Sequence, residues 1–339
     1  MALPRVTTRP PPHVDPTQAR LAYGARAFPK LNEELQSSEL LCRQKALAAL
    51  NQVLHKREHI ATALREGIAV SLKSLLKDDD EYVRCQSAQA LTTLASHSLG
   101  RDAFLQYGII SELAKLFSDK VEEVRYSVHC AIEMCARIKS GAEAVKELVP
   151  ALVEKLDTEE DGNMKLVLLD SIHWCSVVDP SPALNCGAMR VLVDLLGHNN
   201  CDIRGKAARN IMDLSFPLEG KQQAYYSVST LVGLLEDADK FVHSQSAGAL
   251  MSITVTTEGK KCLLDNGAKQ KLCPLLYDNN SEVKLNTIKT LTMIAEVPTA
   301  REELKTEALL KLENMSQGDA SSHVRQVALK ACQVIKWKP

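Results

Sequence analysis

Aromatic side chains are scarce in this chain: five Phe, seven Tyr and two Trp make up 4% of its 339 residues. A sheet core draws on β-branched and aromatic residues, so the shortage argues against β architecture, and the many Ala and Leu among the 45% hydrophobic residues point to packed helices. An excess of charge of one sign is missing too. Forty-one basic residues face 42 acidic ones, which leaves no global positive field for nucleic acid or an anionic membrane, since both need clustered cations. No apolar run reaches the roughly 18 residues of a membrane-crossing helix, and the N-terminal MALPRVTTRPPPHV has no apolar segment of the signal-peptide kind. The expectation is a soluble protein of the cytoplasm.

Metal and catalytic motifs are absent as well. Ten cysteines are scattered along the chain without one CxxC pair, so neither a zinc site nor a dithiol redox motif is indicated, and the thiols read as small hydrophobes kept reduced. There is no G-x-x-x-x-G-K-[ST] loop, G-x-G-x-x-G turn, H-E-x-x-H helix or G-x-S-x-G elbow to cradle phosphate, hold zinc or present a serine nucleophile. His55 and His59 are four apart, but no cysteine or carboxylate at matching spacing completes a site, and they read as solvated helix-end residues. The chain is expected to have no enzyme activity, no cofactor, no metal and no small-molecule substrate.

What is present is a repeat. In EYVRCQSAQALTTLA, from Glu81 to Ala95, a Val-Arg pair is followed by Ala88, Ala90, Leu91, Leu94 and Ala95, the three-and-four spacing of one helical face. The pattern returns as VRYSVHCAI, IRGKAARNI, VHSQSAGAL, VKLNTIKTL and VRQVALKAC. Aligned on the second residue of the pair, the landmarks are Arg43, Arg84, Arg125, Lys165, Arg204, His243, Lys284 and Arg325, separated by 41, 41, 40, 39, 39, 41 and 41 residues. A fixed period near 40 replaces a count of globular domains with a stack of supersecondary units. A second landmark keeps the same step: Gly67, Gly108, Leu148, Gly187, Ser227, Gly267 and Glu307 close the helix before, and glycine there suits a left-handed C-cap.

Each unit reads as a short first helix (RDAFLQYG), a second ending in a leucine pair (RVLVDLL, STLVGLL), a polar turn and a long third helix. The turns KDDDE, EDADK, GHNN and YDNN supply N-caps and place negative charge where the helix dipole favours it; none has the frame of a calcium loop. The fourth unit departs, with Lys165 for arginine, Ser171 for alanine, and Pro180 and Pro182 shortening its exit. Arg84, Arg125, Arg204 and Arg325 read as structural, pairing with turn acids or helix C-termini. Residues 1–29 carry six prolines and four arginines against the single acid Asp15; they read as a flexible Pro-rich basic arm, with a short helix conceivable over 18–27 and residues 30–339 forming the repeat array.

Three helices per period with V-R-x-x-x-A-x-A-L-x-x-L resemble the armadillo repeat, with HEAT as its near neighbour. The resemblance implies an all-α, armadillo-type α-solenoid, a right-handed superhelix of about eight three-helix repeats whose third helices line a concave groove. In the armadillo register the groove side chains stand five and nine residues after the Arg position, which gives Gln89, Thr93, Met134, Asp170, Trp174, Arg209, Asp213, Lys289 and Met293 as candidate protein-binding residues. The Trp and Asn ladder that armadillo carriers of basic peptides use at these offsets is missing, apart from Trp174 at the other offset. Helical-repeat hydroxylases use His-Glu dipeptides as iron ligands, and this chain has none.

The stretch PPPHVDPTQARLAYGARAFPKLNEELQSSELLCRQKALAAL resembles armadillo-repeat radial spoke head proteins of motile cilia and flagella. That implies a structural subunit of the axoneme, located in the cytoskeleton of the cilium or flagellum, whose partners are other radial spoke or axonemal proteins rather than nucleic acid or membrane. The alternative on the residues alone is a soluble armadillo adaptor binding a signalling or transport client reversibly.

Overall fold

The computed structural model describes residues 26–338, and these form helices joined by short turns, with no strand among them. The third helices fall where the repeat register puts them: Leu40–Val53, Glu81–Ala95, Glu122–Ala136, Gly162–Val178, Cys201–Leu214, Lys240–Ile253, Ser281–Ile294 and Ser322–Lys336. The chain divides into two compact units, Met1–Val145 and Lys146–Pro339. Within each, successive third helices pack side by side and the shorter helices cover them. The proline-rich segment lies outside the described residues. A helix at Ala27–Leu35, with Phe28, Leu31 and Leu35 buried, takes in the last three residues assigned above to the arm.

The glycine landmark does its work through one dihedral. Gly67, Gly108, Gly187 and Gly267 have φ of 80°, 60°, 81° and 69°, a left-handed turn that costs glycine nothing and lets the second helix start at once. Where Leu148 and Ser227 replace glycine, no positive φ is taken; the chain passes through 3-10 turns at Lys146–Leu148 and Tyr225–Ser227 instead. In the irregular fourth unit Pro180 and Pro182 limit the next helix to Ser181–Asn185. Caps follow the turn composition: Asp80, Asp161, Asn200, Asp239 and Asn280 each accept a backbone N–H at the start of the third helix that follows.

A second use of the turns binds repeat to repeat. The repeat arginine donates Nη1 to a carbonyl of its own turn, as Arg84 does to Asp78 at 2.9 Å and Arg125 to Asp119 at 2.8 Å. In Arg84 and Arg204 the other nitrogens, and in the third case the Lys284 ammonium, reach the first aspartate of the next turn. Arg84 holds Asp119 at 2.8 and 3.1 Å, Arg204 holds Asp237 at 2.8 and 2.9 Å, and Lys284 pairs with Asp319. Each such aspartate also accepts the amide two residues on, Val121 to Asp119 at 3.0 Å for example, so one carboxylate closes its turn and ties down the previous repeat.

Burial works to raise the Asp119 carboxyl, but the Arg84 guanidinium and the Val121 amide outweigh it and hold it below the usual value. A carboxylate depressed in the folded state stabilises above its unfolded pKa of about 3.9, and that contribution is lost as pH falls through the lower folded value. Asp119→Asn is therefore expected to lower stability near neutral pH by about 1.5 kcal/mol and to flatten the loss of stability below about pH 4. Urea titrations across that range would contradict this if the acid limb of the variant matched wild type.

Glycine has a further, unanticipated place. Gly100, Gly141, Gly220 and Gly259 stand six residues after Leu94, Cys135, Leu214 and Ile253, and a Cβ on any of them would overlap the carbonyl oxygen of that earlier residue. In these four repeats the first helix thus leaves the third helix at a distance that only glycine permits. His59 occupies the same register place and corrects the expectation that it is solvated: its Nδ1 lies 2.8 Å from the Val53 carbonyl and its ring meets Phe28 edge-on at 5.4 Å. His55 is exposed, as expected. The cysteines are free thiols, and burial pushes Cys135 and Cys273 up to about 11, so both stay protonated at neutral pH.

Candidate functional site

In the unit after Val145 the residues five and nine beyond the repeat landmark come together. Asp170 and Trp174 lie on Gly162–Val178, and Arg209 and Asp213 on the adjacent Cys201–Leu214. Asp170 accepts from Arg209 Nη2 at 2.6 Å and from Lys206 on the same neighbouring helix. His173 Nδ1 is 2.6 Å from Asp213 Oδ2, and the half-buried Trp174 ring tilts against His173 at 4.6 Å. One residue away, Asn210 sends its amide across to the Leu169 carbonyl at 3.1 Å. The same device recurs where Asn286 donates to the Ser244 carbonyl at 3.0 Å, beside the half-exposed Lys289 and Met293.

These contacts change the character of the face. Asp170 is already bonded to Arg209 and Lys206, and Asp213 to His173, so these groups are held in place before any ligand arrives. The arrangement offers Trp174 as an aromatic surface beside a fixed cluster of two cations and one carboxylate, and it suits binding better than proton transfer.

In the unit before Lys146 the corresponding face carries an open hollow of about 330 Å³ between Leu40–Val53, Glu81–Ala95 and Glu122–Ala136. Gln89 and Thr93 line it together with Asn51, His55, Thr92, Tyr126, Ser127 and Cys130. Gln89 accepts from Gln86 at 2.9 Å, Asn51 reaches the Gln86 carbonyl at 3.1 Å, and burial raises the Cys130 thiol. Met134, on the same helix as Cys130, is half-buried and stands outside the lining. A larger hollow of about 750 Å³ near Asn32, Gln36 and Asp78 is lined by polar groups bonded among themselves, such as Ser71 to Asn32 at 2.6 Å and Gln36 to Ser71 at 3.2 Å.

Tyr126, Lys206, Thr92 and His173 were missed by counting only two offsets. They stand one, two, eight and eight residues beyond their landmarks. At about 100° per residue, offsets 1, 2, 5, 8 and 9 share one side of the helix, so widening the stripe beyond offsets 5 and 9 recovers them. Among the described residues no group of three or more His, Cys, Asp or Glu is placed to hold a metal.

Fold and face together define an all-helical repeat protein of the α-solenoid class, a class whose stacked helices typically serve as binding scaffolds. A family model for Cnd1, the non-SMC mitotic condensation complex subunit 1, matches residues 59–172, a minority of the chain. The crystal structure of an engineered protein from the Northeast Structural Genomics Consortium is similar over 92% of this chain and 89% of that one, with a TM-score of 0.79 and 22% identity. A second engineered protein from the same consortium aligns over 79% of this chain and 96% of that one, at 22% identity and a TM-score of 0.46. At such identity the first likeness concerns the fold alone.

Proposed function

We propose that the chain is a non-enzymatic scaffold that holds partner proteins on the face of its third helices, and that it does so as a radial spoke subunit of the axoneme in motile cilia or flagella. The observation that carries the binding role is the preformed hollow on that face, where Gln89, Thr93 and Tyr126 present amide, hydroxyl and aromatic groups between packed helices. The pre-bonded cluster around Asp170 and Trp174 extends the same chemistry to the second unit. The axonemal assignment rests on the resemblance of the N-terminal stretch. Balanced charge favours protein partners over nucleic acid or lipid, and no helix among the described residues is long and apolar enough to cross a membrane.

Extraction of demembranated flagella tests both parts. Wild-type protein should stay with the axoneme through mild detergent and salt, whereas Trp174→Ala combined with Arg209→Gln should be released at lower salt with unchanged far-UV circular dichroism. Wild-type protein that washes out in mild detergent defeats the spoke assignment and leaves a reversible adaptor. A lost helix signal in the variant would make Trp174 a packing residue rather than a contact.

A further inference from the structure

Among the described residues the methionines divide into two kinds. Met164, Met189 and Met315 are buried and pack as ordinary core. Met134, Met212, Met251 and Met293 are only half-buried, and each stands eight or nine residues beyond its repeat landmark, on the groove side of a third helix. Three of them fall in consecutive repeats of the second unit, on Cys201–Leu214, Lys240–Ile253 and Ser281–Ile294, which pack in sequence. Gly248 marks how near these helices come: a Cβ there would meet the Met212 sulfur at 2.8 Å and the Asn286 amide nitrogen at 3.2 Å, one from each neighbour. Met212, Met251 and Met293 therefore form a row stepped by the spacing of packed helices, about 8–10 Å. A flexible, polarisable thioether left partly open to solvent moulds itself to an apolar partner.

A second row of opposite character runs beside the first. Lys289 and Lys330 stand five residues beyond their landmarks, about 6 Å along the helix from the methionine level, and neither makes an ion pair among the described residues. Lys240–Ile253, Ser281–Ile294 and Ser322–Lys336 carry Lys240, Lys284, Lys289, Arg325, Lys330 and Lys336 against the single acid Glu282, two turns before Lys289. Lys284 is taken by Asp319, Lys336 by Glu313, and Arg325 by the carbonyls of its own turn. The other charges near the row are balanced. Asp170 and Asp213 offset Lys206 and Arg209, and Glu296, past Met293, pairs with Lys260. The first helices that follow bring no excess of acid: Glu219 is matched by Lys221, Glu258 and Asp265 by Lys260 and Lys261, while Glu302, Glu303 and Glu307 are held by Lys305 and Lys269. The face thus has an apolar row with a positive flank that lacks its counter-charge.

We infer that this face seats an amphipathic helix of a partner protein, its apolar stripe on Met212, Met251 and Met293 and its acidic flank on Lys289 and Lys330. Seven residues of helix rise about 10 Å, so apolar side chains at i, i+7 and i+14 meet the three methionines in turn. A helix carries an apolar and an acidic stripe side by side along its whole length, whereas an extended chain sends alternate side chains to opposite faces. The seat belongs to the face given a binding role above and rests on that role; it adds the partner's shape and the sign of its charge.

A fluorescein-labelled helical peptide with Leu at i, i+7 and i+14, Glu along one flank and Ala elsewhere, titrated with the full chain and read by anisotropy, is expected to bind. Lys289→Glu combined with Lys330→Glu should weaken it about tenfold or more, because like charges then face each other. A peptide with Lys in place of Glu should bind that variant and bind wild type poorly. Met251→Ser and Met293→Ser should each weaken the Glu peptide, with circular dichroism checking their fold, and Lys261→Glu, off the face, should leave it unchanged. No binding, or binding indifferent to the lysine and methionine variants, overturns the inference. So does a Leu-free Glu peptide that binds as tightly, since the lysines would then attract any polyanion, nucleic acid included. If one of these results is found while Trp174→Ala with Arg209→Gln still frees the protein from the axoneme, the face keeps its binding role and loses only this occupant; retention of that variant as well would end both.

Discussion

Leu91→Ala is expected to lower the free energy of unfolding by about 2–5 kcal/mol, one of the two largest effects foreseen for a single substitution. Leu91 is fully buried in Glu81–Ala95, a helix that packs against Leu40–Val53 on one side and Glu122–Ala136 on the other. Small neighbours on it, Ser87, Ala88, Ala90 and Ala95, let those helices approach closely. The cavity left by truncation cannot collapse easily, because cross-helix bonds hold the neighbours: Asn51 to Gln86 on one side, Thr92 to the Ser127 carbonyl on the other. In a stack stabilised by nearest-neighbour interfaces, a defect in an inner repeat weakens two interfaces at once. Urea unfolding followed by circular dichroism measures the loss, and Leu91→Met, which nearly conserves volume, should cost less than about 1.5 kcal/mol. A loss below about 1 kcal/mol in Leu91→Ala would mean that the seam is looser than the packing implies.

Gly220→Ala is expected to be nearly as damaging although it adds a single methyl group. In most exposed helices this exchange stabilises, because alanine is the better helix former by about 1 kcal/mol. Here the new Cβ would collide with the Leu214 carbonyl and touch Leu184. Backbone cannot rotate out of the way as a side chain can, so the first helix Leu218–Ala224 must shift off Cys201–Leu214. Overpacking of this kind costs about 1–3 kcal/mol, and a clash against main chain belongs at the upper end. Gly233→Ala is the control, since nothing lies within 4 Å of its added Cβ. Equal melting temperatures for the two variants would show that the helix junction yields freely.

The repeat register was legible because two independent marks, the Val-Arg pair and the closing glycine, step together along the chain. It located all eight third helices, and the glycine mark even anticipated the left-handed turns at Gly67, Gly108, Gly187 and Gly267. The role of Gly220 was not legible. A glycine inside a short helix reads as a weak point, and its purpose appears only once the carbonyl of the preceding helix is placed above it. His59 failed for the same reason, since the acceptor that desolvates it belongs to another helix.

At the candidate site, position was easier to read than state. The armadillo offsets brought Asp170, Trp174, Arg209 and Asp213 to one face, but nothing in the chain order says that Asp170 meets Lys206 and Arg209 of the following repeat. Arg84 was expected to pair with a turn acid; that it chooses Asp119, 35 residues later, rather than its own Asp79 or Asp80 is decided by the stacking of turns.

The direction of that choice bears on how the molecule is made. In each pair the cation precedes its carboxylate in the chain: Arg43 before Asp78, Arg84 before Asp119, Arg204 before Asp237, Lys284 before Asp319. On the ribosome the donor is therefore always waiting, and at about 5–20 residues per second its acceptor arrives a few seconds later. Until then the newest repeat displays an open guanidinium or ammonium at its growing edge, and the arrival of the next turn latches it. Synthesis and stacking thus advance in the same order, one latch behind the nascent end.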